Sequence, residues 1–136
     1  MSQRPTFTYT ALFANFQLDC KAAALEFVGT AFFLLFGLGG IQAASAETVQ
    51  GGTRQSSTTE QVMYIATSMG LSLLVSAWLF FRVTGGLFNP NISLALLLIG
   101  ALAPVRFVLY CIAQLLGAIA GAAIVRSLTS APLAVK

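Results

Sequence analysis

The residues best placed to act on a solute are Asn89, Pro90 and Asn91, which follow a Gly85-Gly86 pair and precede an apolar run from Ile92 to Ala103 that stops at Pro104. Asparagine is a good helix N-cap, and proline suits the first helical position, where its missing N–H costs nothing. Two glycines let the backbone turn before the cap. If the Asn89 side-chain oxygen accepts from the N–H of Asn91 or Ile92, its amide N–H₂ stays free to donate into a cavity. A helix start also carries about half a positive charge, which disfavours cations, hydrated protons included. A donor beside a positive dipole end suits neutral polar solutes such as water. A plainer reading, a helix start inside a buried connector, also fits an Asn-Pro dipeptide.

Other chemistry is poorly provided for. The chain has no histidine, which excludes Ser-His-Asp and Cys-His catalysis and His-ligated zinc. Cys20 and Cys111 fit no disulfide framework and no Cys-x-x-Cys metal spacing. The four acids, Asp19, Glu26, Glu47 and Glu60, are too few and too far apart in sequence to argue for a paired acid–base site, and no Gly-rich loop ends in Gly-Lys-Ser/Thr. The seven basic residues never cluster into a patch that could track phosphates. No enzyme activity, metal, cofactor or nucleic-acid partner is expected.

The elements that must position Asn89 read as membrane helices. Of 136 residues, 57% are hydrophobic and 8% charged, against about 25% charged in soluble domains. The uncharged stretch from Phe27 to Ala46 is twenty residues, about 30 Å as a helix and so one bilayer crossing. A cleaved signal peptide would have a shorter apolar region and basic residues where Asp19 and Glu26 stand. Ser45 to Gln61 is rich in Ser, Thr, Gln and Gly and reads as an exposed loop. Val62 to Phe81 makes a second crossing and Phe107 to Val125 a third. The twelve residues from Ile92 to Ala103 reach only about 18 Å, so this run reads as a re-entrant or buried half-helix. Irregular backbone at membrane depth is tolerated only where it is buried in protein or lines a watery cavity. The organisation expected is a cytoplasmic tail over 1–21, a membrane unit over 22–126 with spans at about 22–46, 62–81 and 107–125 and a half-helix at about 89–103, and a connector from 127 to 136. With the N-terminus inside, Arg4, Lys21, Arg82 and Arg106 lie on the cytoplasmic side against Arg54, Arg126 and Lys136 outside.

Several polar residues carry two readings. Glu26, at the edge of the first uncharged stretch, is either a brace that accepts backbone hydrogen bonds from the re-entrant loop or an interfacial side chain that snorkels to water. Gln114 has the same alternatives, with interhelical hydrogen bonding favoured. Ser68, Ser72 and Ser76 recur at i, i+4 on one face of the second helix, a pattern commoner in close helix packing than in pore lining. Gly117 and Gly121 form a GxxxG in the third span, and Gly29, Gly37, Gly39 and Gly40 offer small contacts in the first. The glycosylation sequon Asn91-Ile92-Ser93 falls at membrane depth and is discounted.

Three stretches, LEFVGTAFFLLFGLGG in the first span, TGGLFNPNISLALLLIGAL in the loop and half-helix, and AQLLGAIAGA in the third span, resemble the N-terminal half of an aquaporin, most like fungal members. The resemblance covers about Ala22 to Arg126. It implies an all-α membrane fold of three transmembrane helices and one re-entrant half-helix, equivalent to one of two inverted repeats. It also implies a homotetramer with one pore per subunit and a plasma-membrane location. Asn89, Pro90 and Asn91 stand where the family has Asn-Pro-Ala. Glu26 and Gln114 match residues that support the loop with Gly85 and Gly86, and Met69 matches the second-helix position of the pore constriction. Asn91 replaces Ala, Ser93 the common Thr, and Leu87 a frequent His. These departures leave glycerol or another small neutral solute open beside water. Because the family closes its pore with a second repeat, the expectation is a fragment inactive alone, with association to full-length subunits as a further alternative. A half-unit of another inverted-repeat carrier fits less well, since such carriers place ionisable residues at the midplane.

Overall fold

A computed structural model describes residues 15–49, 59–129 and 133. They form four helices and, among the described residues, no strand: α1 (Phe16–Val49), α2 (Thr59–Thr84), α3 (Pro90–Leu98) and α4 (Pro104–Leu128). α1, α2 and α4 are each long and apolar enough to cross a membrane. The short α3 has nine residues, about 13 Å, and cannot. Most of the tail expected over 1–21, the middle of the Ser45–Gln61 loop and most of the connector after 127 lie outside the described residues.

The helix ends differ from the limits set by hydropathy. α1 begins at Phe16, six residues before the expected first span. Asp19 favours that start, because its N–H bonds the Asn15 carbonyl at 2.9 Å and its carboxylate complements the helix dipole. α3 stops at Leu98 rather than running to 103. Gly100 takes φ +77°, and its N–H and that of Ala101 return to the carbonyls of Leu97 and Leu96, the glycine-terminated helix end that satisfies orphan acceptors. Pro104 then opens α4 at a position where its absent N–H is harmless.

Large apolar side chains point outward: Trp78 is 79% exposed and Leu98 77%. Beside a few large side chains such as Phe80, Phe88 and Tyr110, the interior holds small residues and polar ones, including Glu26, Thr30, Ser72, Ser76, Ser93 and Gln114. That distribution reverses the soluble pattern and suits a hydrocarbon solvent, in which every polar group must find its partner inside. No buried side-chain nitrogen or oxygen among the described residues lacks one.

α1 and α2 run antiparallel, since Ser72 Oγ donates to the Phe33 carbonyl and Gln61 Nε2 to that of Ala44. The serine stripe thus faces α1, with Ser68 packed on Gly40. A Cβ at Gly39, by contrast, would meet nothing within 4 Å. α1 and α4 run parallel: Asp19 pairs with Arg106, Phe27 and Thr30 lie against Gly117, and Ala31 lies against Gly121. Lys21, Arg82 and Arg106 therefore share one end of the bundle.

At that end Arg106 Nε donates to Asp19 Oδ1 at 2.7 Å, with the Asp19 side chain 6% exposed and that of Arg106 35%. Replacing Arg106 by Leu should leave a nearly buried carboxylate unpaired and cost about 1–2 kcal/mol, discounted for the exposure of the arginine. Unfolding in mixed micelles checks this, and a variant as stable as the parent would show the pair to be idle.

Candidate functional site: a braced re-entrant loop

The site is the six-residue passage from α2 to α3, Thr84 to Asn89. Its backbone leaves the helix at Gly85 and Gly86, with φ of +95° and +59°, which glycine adopts without a Cβ penalty. Phe88 also has a positive φ, +47°, a left-handed conformation that costs a residue with a side chain about 1–2 kcal/mol. Such a path persists only if its surroundings hold it.

Glu26 does most of the holding. It is fully buried, so it does not reach an interface. Its Oε1 accepts from Leu87 N at 3.1 Å and from Thr84 Oγ1 at 2.5 Å, and its Oε2 accepts from Phe88 N and Gln114 Nε2, both at 2.9 Å. One carboxylate thereby takes two loop amides, a hydroxyl and a side-chain amide, drawn from α2, the loop and α4. Thr84 Oγ1 in turn accepts from Gly86 N at 3.1 Å. The Phe88 ring packs edge-on against Phe80 at 5.9 Å, over Gly29 of α1.

Gln114 continues the network into the half-helix. Its Nε2 also donates to Ser93 Oγ at 3.1 Å, and Ser93 Oγ bonds the Asn89 carbonyl at the same distance. The first turn of α3 is thus tied sideways to the middle of α4. Tyr110, fully buried, donates its hydroxyl to the Thr84 carbonyl at 3.0 Å.

The end product of this bracing is the placement of Asn89. Its Oδ1 accepts from Asn91 N at 2.8 Å and caps α3, with Pro90 in the first turn. Nothing among the described residues accepts from Asn89 Nδ2, and the side chain is exposed. Asn91 is exposed beside it. The arrangement presents an outward amide donor at the positive end of a short helix.

The structure brings Glu26, Gln114, Gly85, Gly86, Asn89, Pro90 and Asn91 into this one region, but not Met69. Met69 lies fifteen residues before Thr84, about 22 Å along α2. A Cβ on Gly37 of α1 would sit 2.5 Å from its sulfur, so the side chain packs towards α1 while remaining partly exposed. Thr84, Tyr110 and Phe88 are parts of the loop support that sequence reasoning passed over. A signal existed for Tyr110: it lies four residues before Gln114, hence on the same face of a helix.

Comparison with known proteins agrees with this architecture. The family model described as "Major intrinsic protein" matches residues 14–136. An aquaporin of Laccaria bicolor is 72% identical over 125 residues, 92% of this chain and 40% of the relative, and aquaporin-1 of Laccaria bicolor is 70% identical over the same shares. Aquaporin-2 of Botryotinia fuckeliana is 47% identical over 104 residues, 76% of this chain and 28% of the relative. The chain therefore spans well under half the length of these relatives. With three apolar spanning helices, a capped half-helix between the second and third, and a family match over most of its length, the chain is an integral membrane protein of the major intrinsic protein family.

Proposed function

We propose that this chain forms the first half of a membrane channel that passes water down an osmotic gradient. The observation that supports this most directly is Asn89, whose oxygen is committed to capping α3 while its amide nitrogen finds no acceptor among the described residues and the side chain is exposed. A solute shedding part of its hydration there meets a fixed donor, and the positive helix end disfavours cations. In the working protein a second half-helix opposes this one, four subunits assemble in the plasma membrane, and the half-helix enters from the cytoplasmic side. The shared position of Lys21, Arg82 and Arg106 at the end where α2 stops and α4 starts, the end to which the half-helix returns, supports that orientation.

The test separates donor from cap. In a full-length protein carrying this segment, Asn89→Ser keeps a capping oxygen and removes the amide. Osmotic shrinkage of vesicles should slow about tenfold, the effect of one lost hydrogen bond to the permeating molecule. Unchanged water flux would mean that Asn89 only starts a helix. Met69 and Asn91 favour a second reading, passage of glycerol: a partly exposed thioether offers a flexible apolar wall. The same vesicles under a glycerol gradient distinguish the two.

A further inference from the structure

Of the buried groups around the loop, Tyr110 bonds neither Glu26 nor the half-helix. Its partner is the carbonyl of Thr84, the last residue of α2. A helix leaves its final carbonyls without internal partners, and here the backbone turns left-handed at the very next residue. The Thr84–Gly85 peptide is therefore the hinge plane of the turn. Its N–H, on Gly85, still bonds the Phe81 carbonyl at 3.0 Å, whereas its C=O depends on Tyr110 at 3.0 Å. Glu26 pins the loop through the N–H groups of Leu87 and Phe88, reaching from α1. Tyr110 pins it through a carbonyl, reaching from α4. Asn89 follows the second of these anchored amides directly.

We propose that the Tyr110 hydroxyl is a positioning group that fixes the plane of the Thr84–Gly85 peptide and, through it, the aim of Asn89 into the conduction path. The inference rests on the reading of Asn89 as a pore donor. The ring alone would fill the space among Ala22, Ala23, Leu87 and Ala113. Only the hydroxyl satisfies the carbonyl, and without it the peptide is held at its N–H alone, so its plane can tilt in search of another donor. Glu26 then still holds Leu87 and Phe88, so the loop stays attached while its direction loosens. α4 is thereby coupled to the start of the loop by this bond, beside the link from Gln114 through Ser93 to the Asn89 carbonyl.

The experiment compares wild type and Tyr110→Phe in the full-length protein, reading water flux, the glycerol-to-water permeability ratio and hydrogen exchange at Gly85 to Phe88. The phenylalanine variant keeps the ring. Water flux should fall about fivefold and the loop amides should exchange about fivefold faster, the population change that one lost hydrogen bond produces. The permeability ratio should change as well, which a space-filling role would not cause. Flux, ratio and loop exchange all at wild-type values would overturn the proposal. Should the variant fail to accumulate, 3,5-difluorotyrosine at position 110, a stronger donor of nearly the same shape, should slow loop exchange, and unaltered exchange would equally overturn it. If wild type passes neither water nor glycerol, the channel reading fails, and the exchange measurements alone decide whether Tyr110 holds the loop.

Discussion

Replacing Glu26 by leucine should release the re-entrant loop and cost the fold at least about 3–5 kcal/mol, more than any other single side-chain change at the site. Four donors converge on its carboxylate: the backbone N–H groups of Leu87 and Phe88, the Thr84 hydroxyl and the Gln114 amide. The two side chains can rotate to other acceptors, Thr84 towards the Phe80 carbonyl and Gln114 towards Ser93. The two backbone donors cannot, and each unmade buried bond costs about 1–3 kcal/mol. Phe88 would also lose the bond that helps hold it at φ +47°. Glu26→Gln should be intermediate, because one oxygen still accepts while the new amide nitrogen faces a donor. Unfolding in mixed micelles, with hydrogen exchange at Leu87 and Phe88, orders the three proteins. A leucine variant with wild-type stability and slow loop exchange would show that the loop is held by packing alone.

The local parts of this site were legible from residue types and spacing. An asparagine before a proline, a glycine pair before both and an apolar run too short to span the bilayer identify the capped half-helix and its turn, because each rests on backbone chemistry within a few residues. Glu26 and Gln114 were legible as polar residues needing partners, but which partners depended on the parallel packing of α1 on α4, 88 residues apart in sequence. The same holds for Asp19 and Arg106. The positive φ of Phe88 carried no sequence signal, since it follows from the Glu26 bond and the Phe80 contact rather than from residue preference. Helix limits were misjudged for a different reason. Hydropathy follows a run until a charge or a proline interrupts it, whereas the backbone hydrogen bonds of α1 start at the Asn15 carbonyl and those of α3 close around Gly100. For the serine stripe, the bonds of Ser68 and Ser72 to α1 carbonyls decide for packing.

The second large effect should come from Gly117, which has no chemistry of its own. A Cβ there would lie 2.5 Å from the Phe27 carbonyl oxygen and 3.1 Å from Thr30 Cβ, both on α1. The first neighbour is backbone and cannot swing aside, so α1 and α4 must move apart. Gly121 stands similarly close to the Ala31 carbonyl, one turn further along, so separation at Gly117 opens a seam rather than a point. Gln114 precedes Gly117 by one turn and Glu26 adjoins Phe27, which places the 2.9 Å Gln114–Glu26 bond next to the wedge. Gly117→Ala should cost about 1–2 kcal/mol and Gly117→Val about 3 kcal/mol, the range of overpacking in a tight core. Loop exchange and water flux in the full-length protein should deteriorate in the same order. Gly39, which has open space where a Cβ would go, supplies the control: Gly39→Ala should be neutral or slightly stabilising on helix propensity. If Gly117→Ala matched Gly39→Ala in stability and flux, the α1–α4 seam would not be what keeps the Glu26 brace in register with the loop. If the two diverge as expected, the small residues of that seam belong to the machinery that aims Asn89, although none of them touches a solute.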